Sequence, residues 1–288
     1  MEASIDIRPS PIAGKWYPGE AARLAASVDG YISSAQLPPI EGKVIGIMAP
    51  HAGHLYSGPV AGFAFAALRG LAPDLVVVVS PMHHPFHQPL LTCGHDAYGT
   101  PLGPVLVDMQ ALSDLHDRLK AVLGFGLAAV RNDPEHSLEI ELPFLQRALS
   151  AEFRLLPVMV RDQSARTTEA LGHAIAQIAA SRNALLVAST DLSHFYPQAI
   201  ANRLDAFVLD EVEAFSPIGV LQADEEGKGF ACGKGALAAM LWAARDLGAD
   251  HVQLLNHATS GDVTGDYEQV VGYGSAVVTR QAPLRAAE

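Results

Sequence analysis

The sequence predicts an α/β fold: a central mixed, largely parallel β-sheet flanked by helices, in a single domain spanning residues 1–288. Three observations carry this. Short runs of apolar, β-branched residues recur along the chain, and none alternates apolar with polar, which is the pattern of strands buried on both faces. Segments with helical spacing separate them, as in sheets covered by helices. No internal repeat and no linker rich in Gly, Ser or Pro divides the chain.

In chain order, the strand candidates are "KVIGIMAP" (43–50), "DLVVVVSP" (74–81), "FRLLPVMV" (153–160) and "NALLVAST" (183–190). The helix candidates begin with "PGEAARLAASVDGYISSA", which opens on Pro and Gly. "GPVAGFAFAALRGL" is apolar nearly all round, as a buried helix is. "DMQALSDLHDRLKAVLG" and "SARTTEALGHAIAQIAASR" are amphipathic, and "CGKGALAAMLWAARDLG" ends on a Gly stop. The C-terminal stretch "HVQLLNHATSGDVTGDYEQVVGYGSAVVT" reads as a strand, a polar loop and a second strand, and residues 280–288 as a frayed tail.

Composition narrows the function. Hydrophobic residues make up 49% and charged residues 17%, enough for a sizeable core. The net charge of −12 repels phosphate backbones, so nucleic acid is not an expected partner. Two cysteines, Cys93 and Cys232, are too few for a disulfide framework and fit a reducing compartment. The N-terminus lacks the apolar centre of a secretory signal. No run approaches the roughly 18 apolar residues of a membrane span. The expectation is a cytoplasmic protein.

The twelve histidines are not evenly spread. The first strand runs into His51 and His54, the second into His83 and His84, and the fourth into Asp191 and His194. Ligands of open α/β sheets bind beyond the carboxyl ends of the strands. Histidines that end separate strands therefore point to one shared site. Imidazoles with an anionic partner suit iron, zinc, copper or nickel. Asp191, Glu135, Glu139, Asp262, Asp266 and Cys232 are candidates for the third ligand. Cys232 begins a helix beside Lys234, and both features would lower a thiol's pKa. "DPEHSLEIELPFLQRAL" (133–149) places Glu135 and His136 near a helix start, where His136 and Glu139 would share a face. They would line the site or support its ligands. "ACGKG" is not a phosphate loop: the template's leading Gly and trailing Ser/Thr are Lys228 and Gly235 here. No G-x-S-x-G elbow supports a serine hydrolase.

Taken in order, "AGKWYP", "APHAGHLYSG", "SPMHHP", "TPLGPVLVD", "DPEHSLEIELPFLQ", "LPVMV", "STDLSHF", "ACGKGAL" and "SGD…VGYGSA" resemble the Memo family (AmmeMemoRadiSam system protein B) nearly end to end. That family is similar in fold to the LigB-like class III extradiol dioxygenases. The resemblance implies a metal held by His51, His83 and Cys232, with His194 as acid/base. Asp191 or Glu135 would orient it or a ligand, and His54, His84, Glu135 and His136 would stand around the pocket. It implies iron(II) first, with copper or zinc as alternatives. It also implies a small, catechol-like substrate and a functional link to AMMECR-type and radical SAM proteins. Two departures stand out. Cys232 occupies the place of a dioxygenase carboxylate, and thiolate favours copper(I) or zinc. His54 stands where many relatives carry an aromatic residue, and "SPMHH" differs from the usual "GPSHH". The expected activity is a metal-dependent redox enzyme. The alternatives are a non-catalytic metal- or peptide-binding adaptor and a zinc hydrolase.

Overall fold

The computed structural model describes residues 5–281. The chain opens with strand β1 (Ile7–Arg8) and helix α1 (Ala21–Ser34). Strand β2 (Lys43–Ala49), helix α2 (His54–Ala66) and strand β3 (Leu75–Pro81) follow. Short strands β4 (Leu90–Cys93), β5 (Ala97–Thr100) and β6 (Gly103–Leu106) lead to α3 (Met109–Leu123) and β7 (Ala128–Val130). Next come α4 (Leu142–Ala148), β8 (Arg154–Val160), α5 (Ala165–Ala179) and β9 (Ala184–Ser189). The described chain ends with β10 (His194–Tyr196), α6 (Gln198–Glu213), α7 (Pro217–Glu225), α8 (Lys234–Asp246), β11 (His251–Thr259), the single turn α9 (Gly261–Thr264) and β12 (Val270–Arg280).

The four expected strands form the centre of one sheet, in the order β10-β12-β2-β9-β3-β8-β4-β7, with β11 also paired to β12. Strands β2, β9, β3 and β8 run parallel. Antiparallel pairings flank them, β12 against β2 on one side and β4 against β8 on the other. The sheet is therefore mixed, as expected. All seven residues of β3 are buried, so helices cover both faces of the centre. The apolar side chains of this centre belong to one continuous core. Because neighbouring strands run parallel, β2, β9 and β3 deliver their carboxyl ends to one edge. Residues 51, 83 and 189–194 meet there.

Helix α2 starts at His54, before the expected Gly58, and carries Pro59 inside. The missing Pro59 amide would have served the carbonyl of Leu55, in the first turn of the helix, and Leu55 itself is exposed. Residues 133–138 are not helical. A 3₁₀ turn spans Glu139–Glu141 before α4, so His136 and Glu139 do not share a helix face. Arg280 ends β12 opposite Lys43 rather than opening a tail. Residues 282–288 of the expected tail lie outside the described residues.

A buried arginine accounts for the shape of the 133–141 segment. The Arg8 guanidinium is 1% exposed. Its Nε and Nη2 donate to both carboxylate oxygens of Asp133 at 3.1 and 2.9 Å, and Nη1 donates to Glu139 at 2.6 Å. Nη2 also donates to the carbonyls of Asp133 and Glu135. The second oxygen of Glu139 accepts from Tyr17 at 2.6 Å and from the Ser10 hydroxyl. Replacing Arg8 by Met leaves Asp133 and Glu139 buried without their cation. The expected loss is about 3–5 kcal/mol in chemical denaturation. A loss below ~1 kcal/mol would show that the segment does not depend on this ion pair.

Candidate metal centre

Three imidazoles meet at the carboxyl edge of the sheet. His51 follows β2, His83 follows β3, and His136 rises from the irregular segment held by Arg8. One ligand atom from each lies within 4.8 Å of the others. The His83 and His136 rings are nearly parallel, 4.9 Å apart and tilted by 13°. His51 stands edge-on to both, at 79° and 82°. His51 is buried, whereas the His83 side chain is 32% exposed, so the cluster opens to solvent on that side. Trp16 packs on His136 with ring centres 4.1 Å apart.

Each strand-end histidine is aimed by a partner on its Nδ1. Glu135 faces His83 Nδ1 at 2.9 Å and accepts the His83 amide at 2.6 Å. It also accepts the amides of His136 and Ser137, both at 3.0 Å. An ionised carboxylate only accepts, so the His83 proton sits on Nδ1 and Nε2 keeps a lone pair. Burial alone would raise the pKa of Glu135. The His83 hydrogen bond, the amides and nearby His136 outweigh it and hold the carboxyl well below its usual range. Ser189, the last residue of β9, faces His51 Nδ1 at 2.9 Å.

Burial favours the neutral form of His51 and His136. Burial pushes His51 well below its usual value, helped by mutual repulsion with His136 and His83. Burial likewise lowers His136 to about 4. Neutral imidazole is the form that binds metal.

Comparison with known proteins gives the family. The Memo-like protein family model matches residues 8–277. The chain belongs to the Memo family. It is 34% identical over 274 residues to a MEMO1 family protein of Nitrosopumilus maritimus, covering 93% of this chain and 98% of that one. The same identity over 283 residues relates it to a MEMO1 family protein of Methanopyrus kandleri, covering 95% and 99%. A MEMO1 family protein of Methanothermobacter thermautotrophicus is 35% identical over 277 residues, with 93% and 98% covered.

The other expected site residues of this Memo-family chain fall into three groups. Cys232 meets the cluster through His51, with Sγ 3.2 Å from Nε2. Its environment differs from the expectation: Lys234 pairs with Asp224 instead of the thiol, and burial followed by the Asp191 charge pushes the Cys232 pKa up. Burial thus works against the thiolate that the helix start was expected to favour, while the Asp191 amide donates to Sγ at 3.3 Å. Gly233 is required beside it, because a Cβ there would lie 2.4 Å from the Ser189 carbonyl oxygen.

Asp191 does not orient His194. Its carboxylate accepts the His51 amide at 2.7 Å and so fixes the backbone that carries this ring. Burial raises Asp191 to about 7 against the lowering pull of the His51 and Ala52 amides. His194 Nδ1 donates to the Leu192 carbonyl at 2.7 Å, leaving Nε2 free, and burial lowers its pKa. Asp205 holds the amide of Ser193 at 2.9 Å and faces His257 Nε2 at 2.8 Å.

The remaining candidates stand apart. Glu139 is committed to Arg8 and Tyr17. Asp262 caps Thr259, and Asp266 accepts the Glu268 amide in the turn before β12. His84 lies near His136 without joining the cluster. Ser189 and Glu141 were not expected as site residues. For Ser189 the signal was its place at the end of the apolar run 183–190; Glu141 had none.

His54 lies in the core, 2% exposed. Its Nε2 contacts the Ile140 carbonyl at 3.1 Å and its ring stands against Phe144. Burial lowers its pKa from 6.5 to about 4. Because the folded value is the lower one, this residue's contribution to stability is complete above pH 6.5 and is lost as pH falls toward 4. The difference of about 2.5 pH units corresponds to about 3 kcal/mol. Denaturation of His54→Leu and wild type across pH 7 to 4 should show the variant losing about that much less. Parallel curves would mean that His54 does not titrate in this window.

Proposed function

We propose that this protein is a non-haem, metal-dependent redox protein acting on a small molecule. The observation that carries the reading is the convergence of His51, His83 and His136 at one strand edge, with Glu135 on His83 Nδ1, Cys232 Sγ beside His51 Nε2 and one side open to solvent. An all-imidazole set suits iron(II) or zinc, whereas copper(I) prefers thiolate. Iron(II) is the ion that suits the redox reading, while Cys232, with Sγ 3.2 Å from His51 Nε2, would shift the preference toward copper(I) or zinc if it bound as thiolate. Iron(II) there would supply Lewis acidity and one-electron redox chemistry.

This chain's own residues would do the rest. Glu135 sets the direction of His83. Asp191 holds the backbone of His51. His194 Nε2 takes a proton from the substrate and returns it, a role that a neutral imidazole near pH 7 suits. Phe195 and Phe230 stand edge-on to the His194 ring, with centres 5.7 and 5.5 Å away, and restrict its rotation.

Metal analysis of anaerobically purified protein tests the ligand set. Wild type should carry about one iron per chain. His51→Ala, His83→Ala and His136→Ala should each lose most of it, while Cys232→Ala and His84→Ala keep it. Equal loss from Cys232→Ala and His136→Ala would make the thiolate a ligand. A wild type without iron or copper would overturn the redox reading. Zinc in its place would favour a hydrolase, and no metal at all an adaptor.

Glu135→Gln should weaken iron binding by about 10- to 100-fold, measured by competition with a chelator. Unchanged affinity would remove Glu135 from the site. His194→Gln should keep its iron and lose oxygen uptake with diol substrates. Uptake at the wild-type rate would exclude His194 as the proton carrier.

A further inference from the structure

Beneath His51 lies a proton arrangement that the metal reading does not use. The Ser189 hydroxyl is fully buried and touches three groups: His51 Nδ1 at 2.9 Å, the Ser137 carbonyl at 2.7 Å and Glu141 Oε1 at 2.6 Å. A hydroxyl has one proton and two lone pairs. The Ser137 carbonyl can only accept, so it takes the Ser189 proton. Nothing then remains on Ser189 to donate to Glu141. An ionised Glu141 would face the hydroxyl oxygen lone pair to lone pair.

All three contacts are satisfied in one way only. Glu141 carries its own proton and donates to Ser189, Ser189 donates to Ser137, and His51 donates from Nδ1 to the second lone pair of Ser189. The surroundings agree. Glu141 is 0% exposed, and no cation pairs with it among the described residues. Its other oxygen, Oε2, has no partner, which a neutral carbonyl tolerates far better than a buried anion does. Burial, and then the nearby Asp191 charge, also push this carboxyl's pKa well up.

We propose that Glu141 is a positioning residue: a buried, neutral carboxylic acid that acts through Ser189 to fix the tautomer of His51, with Nδ1 protonated and Nε2 bare. The two strand-end imidazoles are then aimed by opposite means. His83 leans on an ionised carboxylate, while His51 leans on a hydroxyl backed by an undissociated acid. His51 is the less basic donor of the two, because its partner carries no charge. The role of His51 Nε2 as a ligand rests on the proposed metal function. The protonation state of Glu141 and the His51 tautomer do not.

The experiment follows that division. Infrared difference spectra between wild type and Glu141→Gln should show the carbonyl stretch of an undissociated acid in wild type, unmoved from pH 5 to 9. Nitrogen-15 spectra should place the His51 proton on Nδ1 in both proteins. No acid band, or a His51 proton on Nε2, overturns the proposal whether or not metal binds. Cobalt(II) titration then reads the consequence. Glu141→Gln can still donate an N–H to Ser189 and should bind within about threefold of wild type. Glu141→Leu should bind about 10- to 100-fold more weakly. Equal weakening in both variants, or none in either, also overturns it. If no protein binds cobalt while the infrared and nitrogen-15 results hold, the metal reading fails and the Glu141 assignment stands.

Discussion

The site depends on the ion pair that Arg8 makes below the sheet edge. Two of the three converging imidazoles come from strand ends, which the hydrogen-bonded sheet places without further help. The third, His136, comes from a segment with no regular structure. Such a segment holds its shape only if its buried polar groups find partners. Arg8 supplies them: it binds the Asp133 carboxylate in a fork, takes two backbone carbonyls and reaches Glu139. The turn so formed presents Glu135 to His83 and stacks His136 beside it. An N-terminal strand of two residues thus shapes a centre that it never touches.

A second constraint is the treatment of buried acids. Glu135 is surrounded by donors and stays ionised. Asp133 and Glu139 share one guanidinium. Asp191 has two backbone amides but no cation, and burial raises it to about 7. Glu141 has a single hydroxyl contact. Among these acids Glu135 is held low by its donors, whereas burial pushes Asp191 and Glu141 up. Two of them bear on a strand-end imidazole: Glu135 contacts His83 directly and Glu141 reaches His51 through Ser189, and a histidine backed by a carboxylate is a better donor than one backed by a neutral group.

Much of this was legible before any coordinates. The apolar runs at 43–50, 74–81, 153–160 and 183–190 are too uniformly hydrophobic to be anything but strands covered on both sides, and they became the central parallel strands. A histidine just beyond the first, second and fourth of these runs marked the functional edge. The 133–149 pattern places Glu135 and His136 near a helix start, whereas the helix begins only at Leu142 after a 3₁₀ turn. In the fold, Asp133 is drawn to Arg8, 125 residues away, and the Ser137 hydroxyl to the Pro81 carbonyl. Around Cys232 the local neighbours favour thiolate, but Lys234 turns to Asp224 and burial opposes the charge.

The sequence by itself determined the layered α/β architecture, the edge where the chemistry sits and the identity of His51, His83 and His194 as residues of that edge. These follow from patterns local to each strand. Tertiary structure alone decided that His136 completes the imidazole cluster, that His54 is a core residue and that Asp191 serves His51 instead of His194. It also decided that Ser189 and Glu141 stand behind His51. Each of these depends on which donor meets which acceptor across more than 40 residues of chain, and on how much water is left around them. Hydrogen-bond pairing and desolvation belong to the packed fold, and no local pattern of residue types encodes them.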